Sequence, residues 1–250
     1  MMIDGLVFLG KSHFGYQLDA AHALEAIEHN GASAAIVAPM HPRGGDFAVV
    51  NDEVGQAAQD SDGRLVALAR VDPWDEKLAV SELRRAVTER GARGVFLHPA
   101  EEHFRINDSR VRPIVECAAE LGVPVMVATG YHLYSEPVQI TQVAQWCPEN
   151  PLVLTNGGQL NISGMAQFDA ELALRNDNVF VQTSGMYRED FLERVVATYG
   201  AERLMFATAA PQFNMAYERK RVELAHFGGA ERGLIFGGNA KRLFGPMEGI

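Results

Sequence analysis

The sequence has few features of specialised protein classes. Its two cysteines, Cys117 and Cys147, have no metal-type spacing, so they predict reduced thiols and a cytoplasmic location rather than a disulfide framework. No apolar run approaches the roughly 18 residues of a membrane span. Asp4 interrupts the short apolar stretch at the start, which is not the pattern of a signal peptide.

Basic residues are also scarce relative to acidic ones. The 250 residues include 32 acidic and 22 basic side chains, which give a net charge of −10. A surface of that sign repels phosphate backbones and anionic lipids, so we expect neither nucleic acid nor a membrane as a partner. Hydrophobic residues make up 47% of the chain, enough to bury a large core without a structural metal.

Several common motifs and segment types are missing. The sequence contains no Gly-x-Gly-x-x-Gly phosphate turn, no Gly-x-Ser-x-Gly nucleophile motif and no cysteine–histidine pairing. The first absence argues against a doubly wound sheet that binds a dinucleotide. There is no linker and no low-complexity segment, so we expect one domain over residues 1–250.

What the sequence does have is a regular alternation of two kinds of segment. Short apolar runs typical of buried parallel strands alternate with longer stretches. In these stretches the apolar residues recur about every 3.6 residues, as in helices. Eight of each predict an α/β fold, a single (β/α)8 TIM barrel, which typically needs about 250 residues. The predicted strands are Met2–Leu9, Ala34–Ala38, Leu65–Arg70, Gly94–Leu97, Pro124–Ala128, Leu152–Thr155, Val179–Gln182 and Arg203–Phe206. The predicted helices are Asp19–Asn30, Asp46–Gln59, Asp75–Arg90, Ser109–Leu121, Pro137–Cys147, Ile162–Arg175, Arg188–Tyr199, Phe213–Phe227 and a short Gly238–Phe244.

In such a barrel the loops after the strands build the site. His98 ends the fourth strand, where it predicts a substrate hydrogen bond or an acid/base group, or else a packed histidine with one backbone partner. His13 and His132 follow strands 1 and 5, and each either lines the barrel mouth or is a solvated loop residue. Arg70 ends strand 3 and predicts either a clamp on a substrate carboxylate or an ion pair with Asp72 or another strand-end acid.

Neutral polar side chains follow the last three strands. They predict a hydrogen-bonding floor for a substrate, or amides that fill the barrel by packing. These candidate substrate-binding residues are Asn156, Gln159, Gln182, Ser184 and Gln212.

Seven motifs, in order from residue 2 to about 245, resemble the amidohydrolase superfamily, in its decarboxylase-like branch. The resemblance implies a TIM barrel with hydrolase or decarboxylase chemistry. The motifs are Met2-Ile3-Asp4-Gly5, Gly94-Val95-Phe96-Leu97-His98-Pro99, Leu121-Gly122-Val123-Pro124-Val125-Met126-Val127, Asn156-Gly157-Gly158, Val179-Phe180-Val181-Gln182-Thr183-Ser184-Gly185, Arg203-Leu204-Met205-Phe206 and Gly237-Gly238-Asn239-Ala240-Lys241-Arg242-Leu243.

The resemblance also implies a metal site, from which this sequence departs. In the family a His-x-His after the Ile-Asp of strand 1, histidines on strands 5 and 6 and an aspartate on strand 8 bind a divalent metal, usually zinc. Leucine, phenylalanine and alanine offer no lone pair and asparagine is a poor zinc ligand, so we expect no metal and no cofactor. The residues at the matching positions are Leu6, Phe8, Ala128, Asn156 and Ala209. An alternative alignment places Lys11 and His13 at the His-x-His positions, and it leaves a single histidine ligand.

Two functions are compatible with this pattern. The first is a non-catalytic subunit that binds a ligand, or that regulates or stabilises a metal-bearing homologous subunit. The second is a metal-independent hydrolase or decarboxylase acting on a small carboxylated or cyclic substrate, with His98, His13 or His132 handling protons. In both cases we expect a small molecule at the carboxyl ends of the strands. The resemblance also implies a homo- or hetero-oligomer, most simply a dimer.

Overall fold

The computed structural model describes residues 1–158, 166–186 and 188–247. The strands are β1 (Ile3–Lys11), β2 (Gln17–Leu18), β3 (Ala34–Pro39), β4 (Leu65–Ala67), β5 (Ala69–Arg70), β6 (Val95–Leu97), β7 (Val125–Val127), β8 (Leu152–Leu154), β9 (Val179–Gln182) and β10 (Leu204–Met205). The helices are α1 (Ala20–His29), α2 (Phe47–Gln59), α3 (Lys77–Arg90), α4 (Arg112–Glu120), α5 (Pro137–Ala144), α6 (Ala166–Leu174), α7 (Glu189–Tyr199), α8 (Met215–Leu224), α9 (Gly229–Gly233) and α10 (Asn239–Phe244).

The parallel strands close into a barrel. β1 pairs with β3 and β3 with β4, while β5 to β10 pair in chain order. β4 and β5 are two halves of one extended segment, joined at Leu68, whose N–H donates to the Val37 carbonyl at 2.8 Å. The Phe8 N–H donates to the Ala210 carbonyl at 2.7 Å, which closes the ring between the first and last strands. The predicted TIM barrel is therefore confirmed.

Short and irregular elements differ from the prediction. β2 forms an antiparallel hairpin with β1, and two residues are too few to show any period. α3 begins at Lys77 rather than Asp75, because a separate 3₁₀ turn over Pro73–Asp75 precedes it. α5 ends at Ala144, so Cys147 lies beyond it, and both cysteines are free. The first residues of the predicted helix at 162–165 lie outside the described residues.

The barrel interior is an apolar core to which every parallel strand segment except the two-residue β5 contributes. Because side chains two apart on a strand lie on one side, Leu6 and Phe8 are predicted to face inward together. Both lie in this core, at 0% and 4% exposure. A bulge in β1 between Asp4 and Val7 shifts the alternation. The ring of Phe8 meets that of Phe96 edge-on, with 5.3 Å between centroids. The other interior residues include Ile36, Ala38, Val66, Leu68, Met126, Ala128, Val153, Phe180, Met205, Ala207 and Ala209.

A buried carboxylate reinforces the junction between the first and last strands. Asp4 accepts hydrogen bonds from the Thr208 N–H at 2.9 Å, the Thr208 hydroxyl at 2.6 Å and the Leu6 N–H at 3.2 Å. Burial nevertheless raises the pKa of Asp4 to about 6, because the charged form loses its water. In the described parts of the chain, no helix is long and apolar enough to cross a membrane.

Candidate active site

A buried ionic cluster lies at the carboxyl ends of β5 and β6. Arg70 is 1% exposed, and its Nε and Nη2 donate to Oε1 of Glu102 at 2.9 and 2.6 Å. Nη2 also donates to Glu101, and Nη1 donates to the Pro39 carbonyl at 3.0 Å. The ion-pair alternative is therefore the one that the structure has, with the two glutamates rather than Asp72 as partners. The clamp on a substrate stays a prediction, and these partners already engage all three guanidinium nitrogens.

Neighbouring residues hold both the backbone and the side chain of Arg70 in place. Asn51 on α2 accepts the Arg70 N–H at 2.8 Å and donates to the Arg70 carbonyl at 3.0 Å. The guanidinium lies 5.5 Å from the centre of the Phe96 ring. Because its backbone and its side chain are both held, Arg70 is a rigid anchor for the two carboxylates.

The two glutamates differ in their contact with solvent. The Glu102 side chain is fully buried, and its Oε2 has no hydrogen-bond partner among the described residues. Burial raises the pKa of Glu102 to about 7, against the attraction of Arg70. The Glu101 side chain keeps 16% of its exposure. Burial acts to raise the pKa of Glu101, but the charge and hydrogen bond of Arg70, together with His98 and His41, outweigh burial and hold that pKa below its ordinary value.

His98 is held as a neutral ring next to Glu101. The Glu101 N–H donates to Nδ1 at 3.2 Å, so Nδ1 must carry a lone pair and the proton resides on Nε2. Burial lowers the pKa of His98 to about 3. Nε2 lies 3.5 Å from the Tyr131 hydroxyl and 3.7 Å from Oε1 of Glu101. With its proton on Nε2, His98 suits the role of a hydrogen-bond donor rather than a base. The hydrogen bond from the Glu101 N–H is also the one backbone contact that the packed-histidine alternative predicts.

Glu101 faces a small cavity at the barrel mouth. The cavity has a volume of about 10 Å³, which is enough for one water molecule. Its walls combine apolar, neutral polar and charged groups, and Gln212 is one of them, as expected of a substrate-binding residue. The lining residues are Phe8, Ser12, Tyr16, Met40, His41, Arg70, Glu101 and Gln212.

The two other predicted catalytic histidines lie outside this cluster. His13 is exposed on the hairpin between β1 and β2, where its ring is 5.3 Å from that of His41. The His132 side chain is 75% exposed and pairs with Glu136 at 2.6 Å. Both match the solvated-loop alternative. Their proposed catalytic role stays a prediction, and neither contacts the Arg70 cluster directly.

The predicted amide floor forms a network of its own at the ends of β8 and β9. The Ser184 hydroxyl lies 3.4 Å from Oδ1 of Asn156 and 3.3 Å from Oε1 of Gln182. The amide nitrogens of Asn156 and Gln182 donate to the Thr129 carbonyl and the Met126 sulfur, both at 3.3 Å. These groups are satisfied internally, as the packing alternative requires. Gln159 lies outside the described residues.

Sequence reasoning missed the acids of the cluster. Glu101 and Glu102 lie three or more residues beyond the end of β6, too far for the strand pattern to predict. Tyr131 and His41 follow predicted strands, and the strand pattern does not distinguish them from ordinary loop residues. The signal that could have found the acids is Arg70 itself, because an arginine at the end of a buried strand needs counter-charges from a neighbouring loop.

The residues that the predicted alignment places at the family's metal positions do not fit a zinc site. Leu6, Phe8, Ala128 and Ala209 belong to the apolar interior, and the Asn156 amide is used in the network just described. Within residues 1–158, 166–186 and 188–247, no three His, Cys, Asp or Glu side chains gather where they could hold a metal ion. His13, on the alternative alignment, is an exposed hairpin residue.

The chain belongs to the amidohydrolase family, whose sequence profile matches residues 11–245. It matches no curated protein sequence. Among solved structures it is similar to a 2,6-dihydroxybenzoate decarboxylase from Rhizobium (16% identity, 97% of this chain and 99% of the other, TM-score 0.77). It is also similar to a candidate 2-pyrone-4,6-dicarboxylic acid hydrolase from Pseudomonas putida (19%, 98% and 97%, 0.74). A third is a dihydroxybenzoic acid decarboxylase from Polaromonas with bound manganese and an inhibitor (16%, 97% and 97%, 0.73).

Proposed function

We propose that this protein is an enzyme that hydrolyses or decarboxylates a small carboxylated or cyclic substrate at the barrel mouth, without a metal. The observation that carries the proposal is the buried cluster of Arg70, Glu101, Glu102 and His98. Burying charges is costly even when they are paired, and apolar residues of similar size are often at least as stable. A costly polar cluster at the end of an otherwise apolar barrel is typical of a functional site.

Family membership favours an enzyme over the non-catalytic subunit that the sequence also suggested. The similar structures bear the names of decarboxylases and a hydrolase, and nothing in the comparisons supports a non-catalytic role. We infer from the poor fit of the metal positions that the chemistry rests on the side chains of the mouth.

Glu101 is the group best placed to handle a proton. It is the carboxylate that lines the cavity, and Arg70 holds it in its ionised form. It can accept a proton from water or from a substrate at hydrogen-bond distance. His98 is a neutral N–H donor that can stabilise negative charge on an oxygen beside Glu101. Arg70 and Glu102 are positioning residues in this account.

The present cavity is too small for a ring. A space of about 10 Å³ holds one water, so the mouth must widen before a substrate enters. The hairpin between β1 and β2 contributes Ser12 and Tyr16 to the lining. Movement of this hairpin is the simplest way to enlarge the cavity.

The test is a panel of hydroxybenzoates, lactones and lactams, with CO₂ release and ring opening measured after treatment with a chelator. We expect turnover in the chelated protein. Glu101→Gln should lower it by about 10²–10⁴-fold, while Glu120→Gln, which removes an exposed carboxylate on the outside of the barrel, should leave it unchanged. Turnover that requires added zinc or manganese, or that survives Glu101→Gln, would contradict the proposal.

A further inference from the structure

We propose that the mouth selects a neutral ring carbonyl compound, such as a lactone or a lactam, and rejects carboxylates. This inference rests on the proposed function and narrows its substrate class. Its basis is the charge that lines the cavity. Arg70 is already matched by Glu101 and Glu102, and Glu101 lines the cavity that a ligand would occupy.

A bound carboxylate would have no free cation to meet. The three nitrogens of the Arg70 guanidinium donate to Glu101, Glu102 and the Pro39 carbonyl. Among the described residues that line the cavity, the other charged group is Glu101. Burial lowers the pKa of His41, which keeps that ring neutral. A ligand carboxylate would therefore lie against a like charge at low dielectric.

Nearby loops do not supply the missing cation. Lys11 and Arg43 are exposed and do not line the cavity. Arg188 pairs with Asp190 at 2.5 Å. Residues 159–165 and 187, which the structure does not describe, contain no lysine or arginine in their sequence. The charge balance around the mouth therefore favours a ligand without negative charge.

The lining suits a neutral ring in other respects. Phe8 and Met40 offer apolar contact surface, while Ser12 and Gln212 offer neutral hydrogen-bonding groups. Such a surface binds a flat ring by packing and orients its carbonyl by a few polar contacts.

Hydrolysis of such a ring is balanced without a co-reactant other than water. The oxygen of a water molecule bonds to the carbonyl carbon, while Glu101 takes a proton from that water. The ring C–O or C–N bond then breaks, and the proton passes to the departing oxygen or nitrogen. The product is a hydroxy acid or an amino acid. Its new carboxylate is repelled by Glu101, which favours release.

The experiment compares phthalide with its ring-opened form, 2-(hydroxymethyl)benzoate, by calorimetry at neutral pH. We expect wild type to bind phthalide on the order of a hundredfold more tightly, because only the acid meets the charge of Glu101. Glu101→Gln should narrow or reverse that preference. Glu120→Gln, which removes an exposed carboxylate paired with Arg84 on the outside of the barrel, should preserve it.

The outcomes separate the inference from the proposed function. Equal or tighter binding of the acid by wild type would overturn the inference and leave an enzyme of carboxylated substrates standing. A preference unchanged in Glu101→Gln would also overturn it, provided that the variant melts as wild type does. Failure of wild type to bind either compound would overturn both the inference and the proposed site.

Discussion

Restoring the family's two histidines on the first strand should destabilise this protein rather than create a metal site. The perturbation is the double variant Leu6→His, Phe8→His. Both positions lie in the apolar interior of the barrel, and the positions on the other strands that would complete the site hold Ala128, Asn156 and Ala209. The new imidazoles would find no further metal ligands at these positions.

The magnitude follows from what each side chain now contacts. A buried imidazole without a partner costs about 1–3 kcal/mol. Phe8 also gives up its edge-on contact with Phe96, at 5.3 Å, and such contacts contribute about 0.5–1.5 kcal/mol. The double variant should therefore lose about 2.5–7.5 kcal/mol of the free energy of unfolding. For a chain of this size the melting temperature should fall by at least about 5 °C.

The assay is thermal melting with and without zinc. The matched control is Phe14→His, Leu78→His, which changes the same residue types at positions 73% and 71% exposed, and it should melt within a degree or two of wild type. The reasoning is refuted if the double variant melts no lower than wild type, or if zinc restores its stability and hydrolysis appears. The alignment through Lys11 and His13 would then have to be reconsidered.

Three further predictions concern the metal content, the oligomeric state and the buried side chain of Asp4. Purified protein should contain far less than one zinc or manganese per chain by elemental analysis, and a chelator should leave its melting temperature unchanged; a stoichiometric metal would contradict this. Light scattering should give a dimer or larger oligomer at micromolar concentration, a prediction that rests on the family resemblance and fails if the chain is monomeric. The pKa of Asp4, raised from 3.8 to about 6, means that the folded state binds this proton more tightly than the unfolded state. The stability that Asp4 contributes should therefore fall as the pH rises from about 4 to about 6. In denaturant unfolding, wild type should lose roughly 2–3 kcal/mol relative to Asp4→Asn between pH 4 and pH 7. A difference between the two proteins that does not depend on pH would refute this prediction.

The barrel could be predicted from the sequence because its signals are local and repeated. The run Val179–Gln182 is predicted and observed with identical bounds, since a continuous apolar segment between two helices has one natural place in a parallel sheet. The hairpin strand Gln17–Leu18 could not be found that way, because its pairing with Gly10 and Lys11 depends on a turn rather than on a period. Strand alternation predicts that Leu6 and Phe8 both face inward, and the bulge between Asp4 and Val7 leaves both of them in the interior.

The site was only half predictable, and the reason is electrostatic. Strand ends can be read from a sequence, which placed Arg70 and His98 correctly at the mouth. The roles of these two side chains depend on which charge reaches them from the next loop, and that is a property of the folded chain. The Glu101 N–H donates to Nδ1 of His98, which leaves the ring proton on Nε2. The Glu101 carboxylate accepts a hydrogen bond from Nη2 of Arg70. One glutamate therefore sets the tautomer of the histidine and occupies a nitrogen of the guanidinium. In the proposed function, Arg70 and His98 therefore assist Glu101, and proton transfer is assigned to this glutamate, which the strand pattern did not reveal.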